Sequence, residues 1–169
     1  MKKIKLLILD VDGVMTDGTK TYDLEGNVIS KRFADLDFTA IKRILGRGVN
    51  VCWLSSDSRV NKKVALSRGI DFHLSRTKDG KIDKRKFIKI FSEIYDICDD
   101  EMAYVGDDWY DVPIMQKVGL SYCPSNSPNI VKNVVNYVLN SRSGQGVISE
   151  LLDYWIETGV IVENEQFDM

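Results

Sequence analysis

The sequence predicts an α/β fold: a parallel, doubly wound sheet with helices packed on both faces. Apolar runs of strand length recur at residues 4–9, 49–54 and 102–105. Helical periodicity fills the intervals, most regularly where Phe87, Ile90, Phe91, Ile94 and Ile97 share one face and lysines the other. Acidic residues follow the first and last of those runs directly, at the strand ends where such a sheet carries its site.

The opening run has five apolar residues in six, which suits a strand buried on both faces and is too short to cross a bilayer. It delivers Asp10-Val11-Asp12-Gly13. A β-hairpin follows over about 16–32, its arms Lys20-Thr21-Tyr22-Asp23 and Asn27-Val28-Ile29-Ser30 joined by Leu24-Glu25-Gly26. Phe38, Ile41, Ile44 and Leu45 keep helical spacing until Gly46 and Gly48 end it. The 49–54 strand closes on Ser55-Ser56-Asp57-Ser58, and a basic helix over about 59–68 leads into a strand holding His73. After the Phe87 helix and the 102–105 strand, helices are expected over 112–118, 130–135 and 147–158, with short strands at 120–123 and 137–139. One domain is expected over 1–162. A tail, 163–169, is expected to be mobile or held by a neighbouring subunit.

Composition narrows the function classes. Of 169 residues, 44% are hydrophobic and 28% charged, ordinary for a globular protein. A net charge of −2 lacks the basic surface of a nucleic-acid binder, and no apolar run is long enough for a membrane span. Cys52, Cys98 and Cys123 sit singly, without metal-ligand spacing, and read as reduced core residues of a cytoplasmic protein. A single histidine excludes a histidine-rich zinc site.

Aiming two carboxylates from a buried strand at one spot is costly unless something there needs negative charge. A simple chain reversal at Asp10–Gly13 would need no such charge. The second cluster, Gly106-Asp107-Asp108-Trp109-Tyr110-Asp111, weighs against that, because it too leaves a strand end. Together they point to one hard cation, Mg²⁺. Ser55 and Lys84 add a hydroxyl and an ammonium near strand ends. Such a set suits phosphoryl transfer: one carboxylate attacks phosphorus, another moves the proton, and the cationic groups hold the phosphoryl oxygens.

Asp10-Val11-Asp12-Gly13-Val14 resembles the first motif of the haloacid dehalogenase-like phosphatases, and Gly106-Asp107-Asp108 with Asp111 resembles their fourth. The run Asp10 to Gly18 followed by a hairpin is similar to their capless branch, which includes phosphatases of 3-deoxy-manno-octulosonate 8-phosphate and of sialic-acid-type sugar 9-phosphates. The resemblance implies a Rossmann-like three-layer α/β/α domain without a large cap. It also implies a Mg²⁺-dependent sugar-phosphate monoesterase acting through an aspartyl-phosphate, in lipopolysaccharide or sialic-acid biosynthesis. Asp10 becomes the nucleophile and a metal ligand. Asp12 becomes the general acid/base with its backbone carbonyl on the metal, and Asp107 the second metal carboxylate. Ser55 matches the second motif, with Ser56 the adjacent candidate. Among Lys78, Lys81, Lys84 and Lys86, Lys84 matches the lysine that opens the helix before the fourth motif; Asp111 would steady it, and Gly13 and Asp108 support the two motifs. A homotetramer is implied, the hairpin and a neighbouring subunit covering the site, with Tyr22, Phe33 and the tail's last residues as contacts.

Three stretches depart from the branch, all associated there with substrate contact. Ser56-Asp57 stands where it carries Gly-Arg. Leu36-Asp37-Phe38 keeps only the aspartate of Arg-Asp-Gly, and Ser143-Gly144-Gln145-Gly146 replaces Gly-Gly-x-Gly. A sugar acid's carboxylate would need a cation, for which Arg59, Arg142 and Lys20 are candidates. Two other readings remain: a catalytically weak module beside a sugar nucleotidyltransferase, and a receiver domain, which the Asp-x-Asp and Gly-Asp-Asp patterns disfavour.

Overall fold

Every residue of β1 (Leu6–Leu9) is buried, in a computed structural model that describes residues 3–161. Leu7 and Leu9 enter one apolar cluster and Leu6 and Ile8 the other, so the strand is a partition between two cores. A one-residue slip would exchange the two sets, which fixes its register.

The hairpin follows as β2 (Thr21–Tyr22) and β3 (Val28–Ser30), then α1 (Asp35–Gly46), β4 (Asn50–Ser55), α2 (Arg59–Ser67) and β5 (Asp71–Leu74). The second half runs α3 (Lys86–Tyr95), β6 (Met102–Val105), α4 (Val112–Met115), β7 (Leu120–Cys123), α5 (Asn129–Lys132), β8 (Tyr137–Val138) and α6 (Val147–Glu157). Six strands form one sheet in the order β5-β4-β1-β6-β7-β8, every pairing parallel. β1 lies between β4 and β6, where the winding reverses, and a ligand crevice belongs at its carboxyl end. The predicted doubly wound architecture is the one observed, and the hairpin is a separate two-stranded ribbon.

Alternation continues along the neighbours. Val51, Trp53, Ala103 and Val105 face the core shared with Phe38 of α1, Ala65 of α2 and Trp155 of α6; Cys52, Leu54, Met102 and Tyr104 face Phe87 and Phe91 of α3. Helices therefore cover both faces.

Several expectations are corrected. α3 stops at Tyr95, where Asp96 turns left-handed (φ 52°), so buried Ile97 belongs to the following turn. Lys84 lies two residues ahead of that helix rather than opening it. The helices expected over 112–118 and 130–135 are single turns, because the chain must swing back at once into β7 and β8. Cys98 is exposed on the turn before β6, whereas Cys52 and Cys123 are buried and all three are free. Phe33 packs inward, stacked on Trp53 at 5.9 Å, while Tyr22 is exposed. The tail, 163–169, lies outside the described residues.

Asp37 is buried on α1 and accepts the backbone N–H groups of Ile148 (2.8 Å) and Ser149 (3.1 Å). It thus caps α6, whose own N-cap is Gly146. Asp37→Ala should lower the unfolding free energy by about 1–3 kcal/mol. An unchanged urea midpoint would remove the capping assignment.

Candidate active site

The Asp10 N–H donates to the Val105 carbonyl at 2.9 Å, extending the β1–β6 ladder one step past the strand. Asp10 is thereby tied to the strand whose continuation is Gly106-Asp107. Gly13 turns left-handed (φ 89°), and any side chain there would collide with the Asp107 carboxylate. The two acidic motifs, about a hundred residues apart in sequence, are in contact. Carboxylate oxygens of Asp10, Asp107 and Asp111 lie within 4.8 Å of one another.

Their roles differ by what each oxygen already holds. Asp111 Oδ1 accepts from Lys84 Nζ (2.6 Å) and the Tyr104 hydroxyl (2.7 Å), while Oδ2 accepts the N–H groups of Asp107 (2.9 Å) and Asp108 (3.0 Å). Fully subscribed, Asp111 ties the loop to the lysine. Lys84 Nζ also lies 3.1 Å from Asp10 Oδ2. Burial alone would depress the Lys84 pKa, but the charges of Asp10 and Asp111 outweigh it and hold the ammonium above its usual range.

Asp107 differs. Its Oδ1 is buried with no hydrogen-bond partner among the described residues. Burial, reinforced by the charges of Asp10 and Asp111, pushes its pKa up to about 9, and burial raises Asp10 to about 7 against the pull of Lys84. An unpartnered buried oxygen beside excess carboxylate charge is a donor set for a hard divalent cation. The residues present fit Mg²⁺, which Asp10 and Asp107 would hold.

Asp12 is not one of that carboxylate cluster. Lys31 Nζ donates to its two oxygens at 2.7 and 2.9 Å, Asn61 Nδ2 to Oδ2 at 3.2 Å, and Lys20 Nζ lies 3.6 Å away. Ser55 is the last residue of β4 and is buried, its Oγ accepting from Asn61 Nδ2 at 3.0 Å and from the Asp57 N–H at 3.2 Å. Ser56 takes part through its carbonyl, which accepts from Arg76 Nε. Asp108 is exposed, its Oδ1 accepting the N–H of Trp109, and stands apart from the carboxylate cluster.

Lys31, Asn61 and Tyr104 carry no sequence motif and went unassigned from sequence. Asn61 had a faint signal: it lies one turn before buried Ala65, a polar residue on the buried face of α2. Asp57, which looked like an anomalous negative charge, is matched by Lys20 (3.2 Å), Lys31 (3.1 Å) and Arg59 (3.1 Å).

The family of haloacid dehalogenase-like hydrolases matches over residues 55–151. The chain belongs to the haloacid dehalogenase-like hydrolases. The expected family, fold and enzyme class, a phosphatase, are met. Among haloacid dehalogenase-like relatives, 3-deoxy-D-manno-octulosonate 8-phosphate phosphatase of Haemophilus influenzae is 32% identical over 154 residues, covering 90% of this chain and 83% of that one. The enzyme of the same name from Escherichia coli K12 is 30% identical over 152 residues, covering 90% and 79%. The cobalt-bound form of the Haemophilus influenzae phosphatase superposes with a TM-score of 0.83 at 33% identity, covering 92% of this chain and 88% of that one. No helix of the described residues is long and apolar enough to cross a membrane.

Proposed function

We propose that this haloacid dehalogenase-like protein is a Mg²⁺-dependent phosphomonoesterase of a 2-keto-3-deoxy sugar acid phosphate, with 3-deoxy-D-manno-octulosonate 8-phosphate the first candidate. The observation that carries the metal-assisted chemistry is the meeting of Asp10 with the unpartnered Asp107 oxygen beside a buried lysine. The substrate class rests on the relatives.

In this reading an Asp10 oxygen attacks phosphorus, forming the aspartyl-phosphate as the phosphorus–sugar oxygen bond breaks. Asp12, as general acid, passes a proton to the departing sugar oxygen. Its carboxylate then takes a proton from water, whose oxygen attacks phosphorus; the Asp10–phosphorus bond breaks and inorganic phosphate leaves. Lys84 and Ser55 hold phosphoryl oxygens as charge develops. Asp10 and Asp107 would hold Mg²⁺, whose positive charge would offset repulsion between carboxylate and phosphate. The exposed Tyr22, Leu24 and Ile29 of the hairpin suit burial by a neighbouring subunit in a homotetramer, and free cysteines suit a reducing cytoplasm. No observation favours the weak-module reading, since the first and fourth motifs are intact and assembled.

The test is phosphate release from 3-deoxy-D-manno-octulosonate 8-phosphate with Mg²⁺ or with EDTA, against glucose 6-phosphate. Release that needs Mg²⁺ and prefers the sugar acid is expected. No release from either, by folded protein, would sink the reading.

The raised acids also predict a pH effect on stability. Below the ordinary carboxylate pKa both folded and unfolded forms are protonated. As pH rises, the unfolded chain loses protons that Asp10 and Asp107 retain until about 7 and about 9, so metal-free stability falls across that window. Mg²⁺ compensates the charge, so its gain in Tm should grow from about pH 5 to about pH 9. A gain independent of pH would contradict this account.

A further inference from the structure

Each arm of the hairpin brings a lysine to the same pair of aspartates. Lys20 precedes β2 and lies 3.2 Å from Asp57 and 3.6 Å from Asp12. Lys31 follows β3, and its side chain is wholly buried. Its Nζ meets both Asp12 oxygens, Asp57 Oδ2 at 3.1 Å and Asn61 Oδ1 at 2.8 Å, which occupies all three ammonium protons.

We propose that Lys31 and Asn61 are positioning residues for Asp12, and that Asp57 is the counter-ion that lets the hairpin bring Lys31 to it. The proposal rests on the reading of Asp12 as the proton carrier.

Two contacts from one ammonium fix the plane of the Asp12 carboxylate. The Asn61 amide has one orientation that satisfies every neighbour: its oxygen faces Lys31, and its NH₂ faces Asp12 Oδ2 and Ser55 Oγ. That amide thereby joins the proton carrier to the serine expected on the phosphoryl group. An ammonium with no exposed surface is tolerated only when fully paired, and Asp12 alone leaves part of it unmet. Asp57 supplies the remainder, so a cation at position 57 would face Lys20, Lys31 and Arg59 together. Because β3 ends at Ser30, any displacement of the hairpin moves Lys31 and with it the aim of Asp12. The hairpin of this haloacid dehalogenase-like chain thus acts as a strap whose Lys31 steadies the Asp12 carboxylate that follows β1.

The experiment is a leaving-group series, from 4-nitrophenyl phosphate to phenyl phosphate, with native protein and Lys31→Met. A well-aimed acid makes the native rate nearly insensitive to the leaving group. In Lys31→Met, kcat for phenyl phosphate should fall by roughly 10²-fold, the scale of general acid catalysis, while the first-turnover burst on 4-nitrophenyl phosphate changes little. KM should hold, and Lys31→Arg should recover part of the loss. Asn61→Leu should steepen the series in the same sense, which serves if Lys31→Met folds poorly. A uniform loss across the series, or none, would overturn the proposal. So would a crystal structure of either variant with the Asp12 side chain unmoved, a readout independent of turnover. Survival of turnover in Asp10→Asn would instead sink the reading of the reaction, so the two failures are distinguishable.

Discussion

Asp10→Asn should lower phosphate release by at least roughly 10⁴-fold while the protein stays folded. The amide has the same shape, and the site constrains shape closely: Gly13 admits no side chain, and Lys84 lies 3.1 Å from Asp10 Oδ2. What is lost is an anionic oxygen able to bond to phosphorus. Neither other acid in the cluster can replace it. Asp111 has each oxygen committed to two donors, and Asp107 is the carboxylate proposed to help hold the metal. The measurement is single-turnover release with Tm in parallel. Residual turnover near the native rate would mean that another group attacks.

Asp111→Ala should be the most damaging substitution for stability. It leaves the Tyr104 hydroxyl and two backbone N–H groups without their acceptor and takes from the Lys84 ammonium one of its two carboxylates, all packed around one buried site. Removing one partner of a buried ion pair costs about 3–5 kcal/mol, against near zero for an exposed one. At this chain length that is a fall in Tm of about 6–20 °C. Asp108, one of the same acidic run but exposed, is the control: Asp108→Ala should move Tm by no more than about 2 °C. Equal shifts for the two would remove the organising role assigned to Asp111.

The contrast shows what the sequence could disclose. β1 was legible because a strand buried on both faces is almost pure hydrocarbon, and the charge that follows it is abrupt. Asp10 and Asp107 were legible because each ends such a run. The parallel, doubly wound sheet followed from alternating periods, though not its strand order. α4 and α5 were overdrawn because apolar spacing cannot reveal where a chain must turn back for the next strand. The capping by Asp37 could not be read from the sequence, because a lone aspartate carries no mark of the helix end it serves, about a hundred residues away. Lys31 and Asn61 were invisible for the same reason: their meaning is created by partners from β1 and β4, not by neighbours along the chain.

The pairing of β1 with β6 has a consequence for synthesis on the ribosome. Asp10, the proposed nucleophile, is made some hundred residues ahead of the strand that locks it and the acid that completes its charge. A nascent chain halted before β6 emerges would hold a water-exposed, uncommitted β1 edge and no hydrolytic power. Competence should therefore arrive abruptly, late in translation, and β1 is the segment a chaperone would have most reason to shield until then.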